Sequence, residues 1–264
     1  MTVQPQQAIP ARVANGAAVL RAQGLCAGVH AFPKMGKSSL GVSGPRPVLL
    51  VDVESAGFWV PGRKIYWDPA RQTVPAYDGS WDIAIVTVQD VATLWALQRT
   101  LLSGQHPFNS VSVDSVPAVA HRAMMSMAGR RKMERDDWGQ LLRDVLAVII
   151  GFKDLLVHPV NQVWAITYVF PTHYDHRTRK WRPYLQGQSA DLAPYQFDLM
   201  GWMYQDGKHP DGTPMHHLWT GPSNQYETGD RLWGRLPQDM IVGHPGMVPG
   251  WTMETMVEHA IASQ

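Results

Sequence analysis

Eight residues, Ala31-Phe32-Pro33-Lys34-Met35-Gly36-Lys37-Ser38, carry the spacing needed to hold a chain of phosphates, and Ser39 extends the run. In the pattern G-x-x-x-x-G-K-[ST], loop and helix N–H groups surround phosphate oxygens, the lysine supplies a point charge and the hydroxyl holds Mg²⁺. Ala31 stands where the first glycine is expected. Because alanine resists the φ > 0 conformations that glycine accepts, it predicts a tighter loop and weakened nucleotide binding or hydrolysis. A solvated turn would explain Lys37 and Ser38 alone. The neighbours argue against that: Leu25 to His30 is an apolar run that reads as a buried strand, and Lys37 to Val42 reads as two helical turns ended by Gly44-Pro45.

Acids stand where such a loop would need them. Val48 to Glu54 is an apolar run closing on Asp52 and Glu54, whose spacing puts both on one side of an extended strand. Ser110 to Ser115 is a second run, closing on Asp114. Ligands of α/β sheets bind beyond the carboxyl ends of strands. There Asp114 would hold a metal together with Ser38, and Glu54 would orient and deprotonate water. Thr167 is placed to sense a terminal phosphate. A strand-end carboxylate facing solvent explains either acid alone; their conjunction with Lys37 points to a triphosphate site.

The elements that must position these groups follow an α/β order. Ile83 to Val88 and Val163 to Val169 are further apolar runs suited to a mostly parallel sheet covered on both faces. Val91, Leu94, Trp95, Leu97 and Leu101 follow one helical face. Trp138, Leu141, Leu142, Val145, Val148, Phe152 and Leu155 follow another, with Asp136 or Asp137 as N-cap. Trp95 and Trp138 are thereby expected in the core. Pro171 to Gly187 lacks a period and predicts a long loop. Phe197 to Met203, Met215 to Trp219 and Arg231 to Leu236 predict an antiparallel extension, and Thr252 to Ala262 a terminal helix.

A chain of 264 residues, 45% hydrophobic, can bury a substantial core. Its single cysteine, Cys26, lies in an apolar run, which predicts a packing role and a reducing, cytoplasmic setting. Neither a leader pattern nor a bilayer-length apolar stretch is visible, so a soluble protein with no membrane partner is expected. Net charge of +1 excludes bulk attraction to nucleic acid and leaves local patches. One contains Arg130, Arg131 and Lys132; the other contains Arg177, Arg179, Lys180, Trp181 and Arg182. The second interleaves an aromatic ring with cations, which suits a single strand. Solvated loops are the alternative for both. His173-x-x-His176 and His216-His217 lack the further ligand a metal site requires.

Together these residues resemble the RecA-like P-loop ATPases of the AAA/RecA-like NTPase group, and more closely the phage Sak-type single-strand annealing ATPases. The resemblance covers roughly Gly24 to Pro237. It is carried by Pro33 to Leu40, Pro47 to Glu54, Val111 to Ser115, Asp137-Trp138-Gly139, Pro183-x-Leu185-x-Gly187 and Phe197-Asp198. It implies a RecA-like core over 23–237, with an N-terminal arm, 1–22, and a C-terminal appendage, 238–264. It also implies ATP held by Ala31 to Ser39, Mg²⁺ on Ser38 and Asp114, and DNA-dependent hydrolysis served by Lys37 and Glu54. Arg231 falls where such proteins place a cation that reaches a neighbouring subunit's nucleotide; a turn arginine is the plain alternative. The implied partners are single-stranded DNA, further copies in a ring or filament, and a single-strand DNA-binding protein. The implied setting is phage recombination, by annealing or strand exchange, in a host cytoplasm. One departure is Thr167-Tyr168-Val169, where the group's sensor strand ends in Thr-Ala-His. A non-hydrolysing nucleotide switch or helicase-loading adaptor remains open, as does a small-molecule kinase, although no arginine-rich lid is visible.

Overall fold

The computed structural model describes residues 24–129, 131–157, 163–244 and 249–262. The expected arm 1–22 and Arg130 lie outside the described residues. Among the described residues eleven strands form one sheet: β1 (Leu25–Ala31), β2 (Val48–Asp52), β3 (Lys64–Tyr66), β4 (Ile83–Thr87), β5 (Ser110–Asp114), β6 (Ala165–Asp175), β7 (Lys180–Pro183), β8 (Leu199–Lys208), β9 (Pro214–Trp219), β10 (Gly229–Asp230) and β11 (Asp239–Val242). The helices are α1 (Lys37–Gly41), α2 (Val91–Leu102), α3 (Val116–Ala128), α4 (Arg135–Lys153), α5 (Ser189–Leu192) and α6 (Met253–Ala262).

Strand order is β11-β9-β8-β1-β6-β5-β2-β4-β3. From β8 to β3 neighbouring strands are parallel, whereas β9 and β11 add antiparallel at one edge. This is the expected α/β class, a mostly parallel sheet with an antiparallel extension. Its parallel strands are apolar runs because helices cover both faces. Alternate residues of β1 enter different cores: Leu25, Ala27, Val29 and Ala31 join Leu40 of α1 and Met253, Met256 and Val257 of α6, while Cys26 joins the core built on α2, α3 and α4.

Several expectations need correction. Pro171 to Gly187 is largely a hairpin of β6 and β7, in which Tyr174 pairs with Trp181 and Asp175 with Lys180. Polar residues on both of its faces leave no apolar alternation to read. Arg231 to Leu236 is a turn, with Trp233 and Gly234 at positive φ and the Asp230 carboxylate accepting the Leu232 N–H at 2.6 Å. Glu134 caps α4, and Asp137 returns the bond to the Glu134 N–H at 2.8 Å, so Asp137 completes a capping box three residues inside. Trp138 is 42% exposed, whereas Trp95 packs against the core. The division after Pro237 does not separate an appendage, because β11 pairs with β9 and the Met253 N–H of α6 donates to Ser43 Oγ at 2.9 Å.

Tyr168 shows how tightly helix and sheet are joined. It is fully buried on β6 and donates its hydroxyl to the Ile149 carbonyl of α4 at 2.5 Å. Burial holds its phenol well above the usual range, so this donor stays protonated. Tyr168→Phe removes this second donor and leaves the helical carbonyl only its bond within α4, and chemical denaturation is expected to show a loss of about 1 kcal/mol. An unchanged midpoint and slope would mean the bond contributes nothing net.

Candidate nucleotide site

Parallel register decides where the chemistry collects. Ala31 pairs with Pro171, Asp114 with Val169, and Asp52 with Asp114, so the ends of β1, β5 and β2 share one rim of the sheet. β6 lies between β1 and β5, which separates those two strands by about 10 Å, two inter-strand spacings. The loop leaving β1 crosses that gap and returns as α1. Lys34 and Gly36 adopt left-handed backbone, φ 64° and 83°, to make the turn. Ala31 is not among the positive-φ residues: it is fully buried as the last residue of β1. The strain expected from alanine at this position therefore does not arise.

Lys37, Ser38, Glu54 and Asp114 come together around this loop. Lys37 Nζ donates to the carbonyls of Phe32, at 2.8 Å, and Ala31, at 3.2 Å. Burial lowers its pKa, and the nearby Asp114 and Glu54 carboxylates oppose that shift. Burial raises the Asp114 carboxyl to about 6, with Glu54 and Asp52 adding to the effect, while the Ser38 hydroxyl bonded to it and Lys37 pull it back. Glu54 is exposed on one side and accepts a hydrogen bond from Ser115 Oγ.

The two acids of the second strand have separate jobs. Asp52 is buried and accepts the N–H groups of Ala56, at 3.1 Å, and Gly57, at 2.8 Å, fixing the turn after Glu54. β2 has ended by then, so Glu54 sits in that turn rather than beside Asp52 on a strand. Thr167 is buried in register with Ser112, short of the rim, and a sensor role for it is corrected.

Ser38 and Asp114 offer a hydroxyl and a carboxylate oxygen, donors suited to a hard cation such as Mg²⁺ that keeps water and phosphate as its other ligands. Among the described residues no group of three His, Cys, Asp or Glu side chains forms a metal cage. Beside the loop is a cavity of about 340 Å³, lined by Gly36, Ser39, Trp59, Met203, His209 and His216.

Arg231 is not part of this site. Its N–H donates to the Asp198 carbonyl at 2.8 Å, and Asp198 in turn bonds Cys26 near the start of β1, so Arg231 occupies the opposite rim. Its guanidinium donates to the Tyr195 carbonyl.

The basic segments divide in the same way. Arg182 is 6% exposed and ion-paired with Asp175, Asp191 and Glu227, which removes it from the expected nucleic-acid contacts. Arg177 is paired with Asp191, and Arg131 grips both oxygens of Asp137 at the start of α4. Arg179 and Lys132 are exposed, Lys180 reaches the Ser223 carbonyl, and Trp181 is half-buried against Phe32 of the loop.

Two participants were not legible in the sequence. Ser115 follows the strand-end acid and carried no signal apart from that. His30, immediately before the loop, bridges Thr172 Oγ1 at 3.0 Å and the Glu227 carbonyl at 3.1 Å; as a histidine within an apolar strand it was the one available hint.

The strand order β8-β1-β6-β5-β2 makes a mostly parallel α/β sheet that brings the Ala31–Ser39 loop after β1, Asp114 at the end of β5 and Glu54 just past β2 to one rim. No family model matches the sequence, and no curated protein matches it. Among solved structures, the chain is similar to a KaiC-like protein from the hyperthermophilic archaeon Pyrococcus horikoshii OT3, at 11% identity and a TM-score of 0.43, over 86% of this chain and 89% of that one. It is also similar to the flagellar accessory protein FlaH from Methanocaldococcus jannaschii, at 10% identity and a TM-score of 0.44, over the same shares. Both likenesses are distant. Among the described residues no helix is long and apolar enough to cross a membrane.

The raised pKa of Asp114 has a consequence for stability. A carboxyl that holds its proton longer when folded makes the protein lose stability as pH rises from about 4 through about 6. Asp114→Asn keeps the shape and removes the charge. Denaturation at about pH 7.5 is expected to find it more stable than wild type by up to about 3 kcal/mol, with the difference vanishing below about pH 4. Equal stability at both values would show that the carboxylate is not penalised by burial.

Proposed function

We propose that the protein is a P-loop ATPase that binds single-stranded DNA and acts as a homo-oligomer in phage DNA recombination. The observation that carries the nucleotide half is the meeting of Lys37, Ser38, Glu54 and Asp114 at one rim, from segments far apart in sequence. Ala31 to Ser39 would hold the phosphates of ATP. Ser38 and Asp114 would hold Mg²⁺, which when bound neutralises charge on the phosphates. Glu54, steadied by Ser115, is the group placed to take a proton from attacking water. That carboxylate, with the strand geometry kept by Ala31, favours hydrolysis over a nucleotide-only switch.

The DNA half is supported by the β6–β7 hairpin, where Trp181 stands beside Arg179 and Lys180, a ring for stacking and cations for phosphates. Phage recombination, by annealing or strand exchange in a host cytoplasm, rests on the sequence resemblance, as does a single-strand DNA-binding protein as further partner. In an oligomer Arg231, at the far rim, would serve a neighbouring subunit's nucleotide.

Phosphate release, measured with and without oligo(dT), tests the reading. Steady turnover is expected in wild type, with a fall of about 10²- to 10⁴-fold in Glu54→Gln. Lys37→Ala is expected to lose nucleotide binding, and Arg179→Ala with Lys180→Ala to weaken oligonucleotide binding. Turnover equal to wild type in Glu54→Gln, or strand binding untouched by the hairpin changes, would end the proposal.

A further inference from the structure

A row of rings runs from the phosphate loop to the hairpin. Phe32 lies edge-on to Trp181 with centroids 5.0 Å apart, Trp181 meets Tyr174 at 5.3 Å, and Tyr174 meets His176 at 5.0 Å. Phe32 and Tyr174 are each more than a third exposed. The far end of the row lies beside Arg179 and Lys180, and the near end is inside the loop itself.

The near end is also tied to the phosphate-binding lysine. Lys37 Nζ donates to the Phe32 carbonyl, and that ammonium is the charge an incoming phosphate oxygen would draw on. Lys37 now gives two of its three N–H groups to the carbonyls of Phe32 and Ala31, and turning the ammonium toward a phosphate draws it away from both, so occupancy of the loop competes with the contact that fixes the Phe32 backbone. The hairpin does not share this freedom: Arg182 pins it to Asp175, Asp191 and Glu227, and His30 ties Thr172 at its base. Any adjustment falls on Phe32, and Trp181 stays in place.

We propose that Phe32 is a nucleotide-controlled cover on Trp181: its ring occupies indole surface that a base of a single strand would stack on, and phosphate binding at Lys37 releases it. The inference rests on the single-strand reading above and adds to it the route by which the two ligands are coupled. Because linkage is reciprocal, a bound strand would raise nucleotide affinity by the same factor.

Binding of a fluorescein-labelled oligo(dT), followed by anisotropy without nucleotide and with saturating ATP, tests it. Phe32→Ala is expected to tighten nucleotide-free binding by roughly 2- to 10-fold, the range one edge-on ring contact supports, bringing it close to the ATP-bound wild type. A variant that merely lost ATP binding would show no such gain. The gain is expected to disappear when Phe32→Ala is combined with Trp181→Leu, and to persist with Trp181→Phe, which keeps a ring and guards against a folding defect. Nucleotide-free binding that is unchanged or weaker in Phe32→Ala, or an equal gain in the Trp181→Leu background, would overturn the inference. Wild type that binds ATP yet binds no oligo(dT) would instead sink the single-strand reading, and this inference with it.

Discussion

A half-buried lysine ammonium and a buried aspartate carboxylate lie within each other's field at the carboxyl rim of the sheet. Burial works against both charges, lowering Lys37 and raising Asp114, and each charge offsets part of the other's penalty. Such an arrangement persists only where the backbone leaves no freedom to separate the partners. Here the backbone is fixed twice. Parallel pairing sets Asp114 level with Asp52 and leaves only β6 between it and β1, and α1 packs against β5 so closely that a Cβ on Gly41 would overlap Ser112 Oγ. That close approach lets Ser38 reach Asp114. A bulkier residue at Gly41 would lift the helix, and hydroxyl and lysine would leave the acid together.

The sequence was most legible where one force acted alone. β1, β2, β4 and β5 are apolar runs because both faces of a parallel sheet are covered, and no surface requirement interrupts the pattern. The loop was legible from spacing, and Asp114 from its place at a strand end. Ala31 was misjudged for a physical reason. Alanine is a poor residue for positive φ, but the chain makes its turn at Lys34 and Gly36 and leaves Ala31 in the strand. Asp52 and Glu54 looked equivalent by spacing, and only the turn at Ala56 and Gly57 shows that one anchors and the other faces the site.

What escaped the sequence depended on partners distant along the chain. Arg182 sits in a run of cations with the look of a nucleic-acid patch. Of its three carboxylate partners Glu227 lies 45 residues away, on a segment with no pattern linking the two. A basic run in a sequence does not distinguish charges that face solvent from charges consumed in bracing. The same limitation hid the hairpin: Tyr174 and Trp181 alternate with polar residues that are themselves partly buried, so neither face reads as a core face. α6 was visible as a helix but not as part of the core, because its partner, Ser43, is 210 residues earlier.

His30 shows why the brace can be rigid where the loop must yield. The Glu227 carbonyl can only accept, so Nε2 of His30 carries a proton, while Nδ1 lies 3.0 Å from the Thr172 hydroxyl, which also reaches the Arg182 carbonyl at 3.1 Å. Burial pushes the imidazole down to about 3, which favours the neutral ring near neutral pH. A charged histidine would repel Lys37 a few residues on. The neutral ring instead joins β1, β6 and the 227 segment through two directed bonds. The loop beyond it is held chiefly by one ammonium on two carbonyls, bonds that a phosphate can compete for. Stiff support behind an exchangeable contact confines a ligand's effect to the few residues between them, which here are Phe32 and its neighbours.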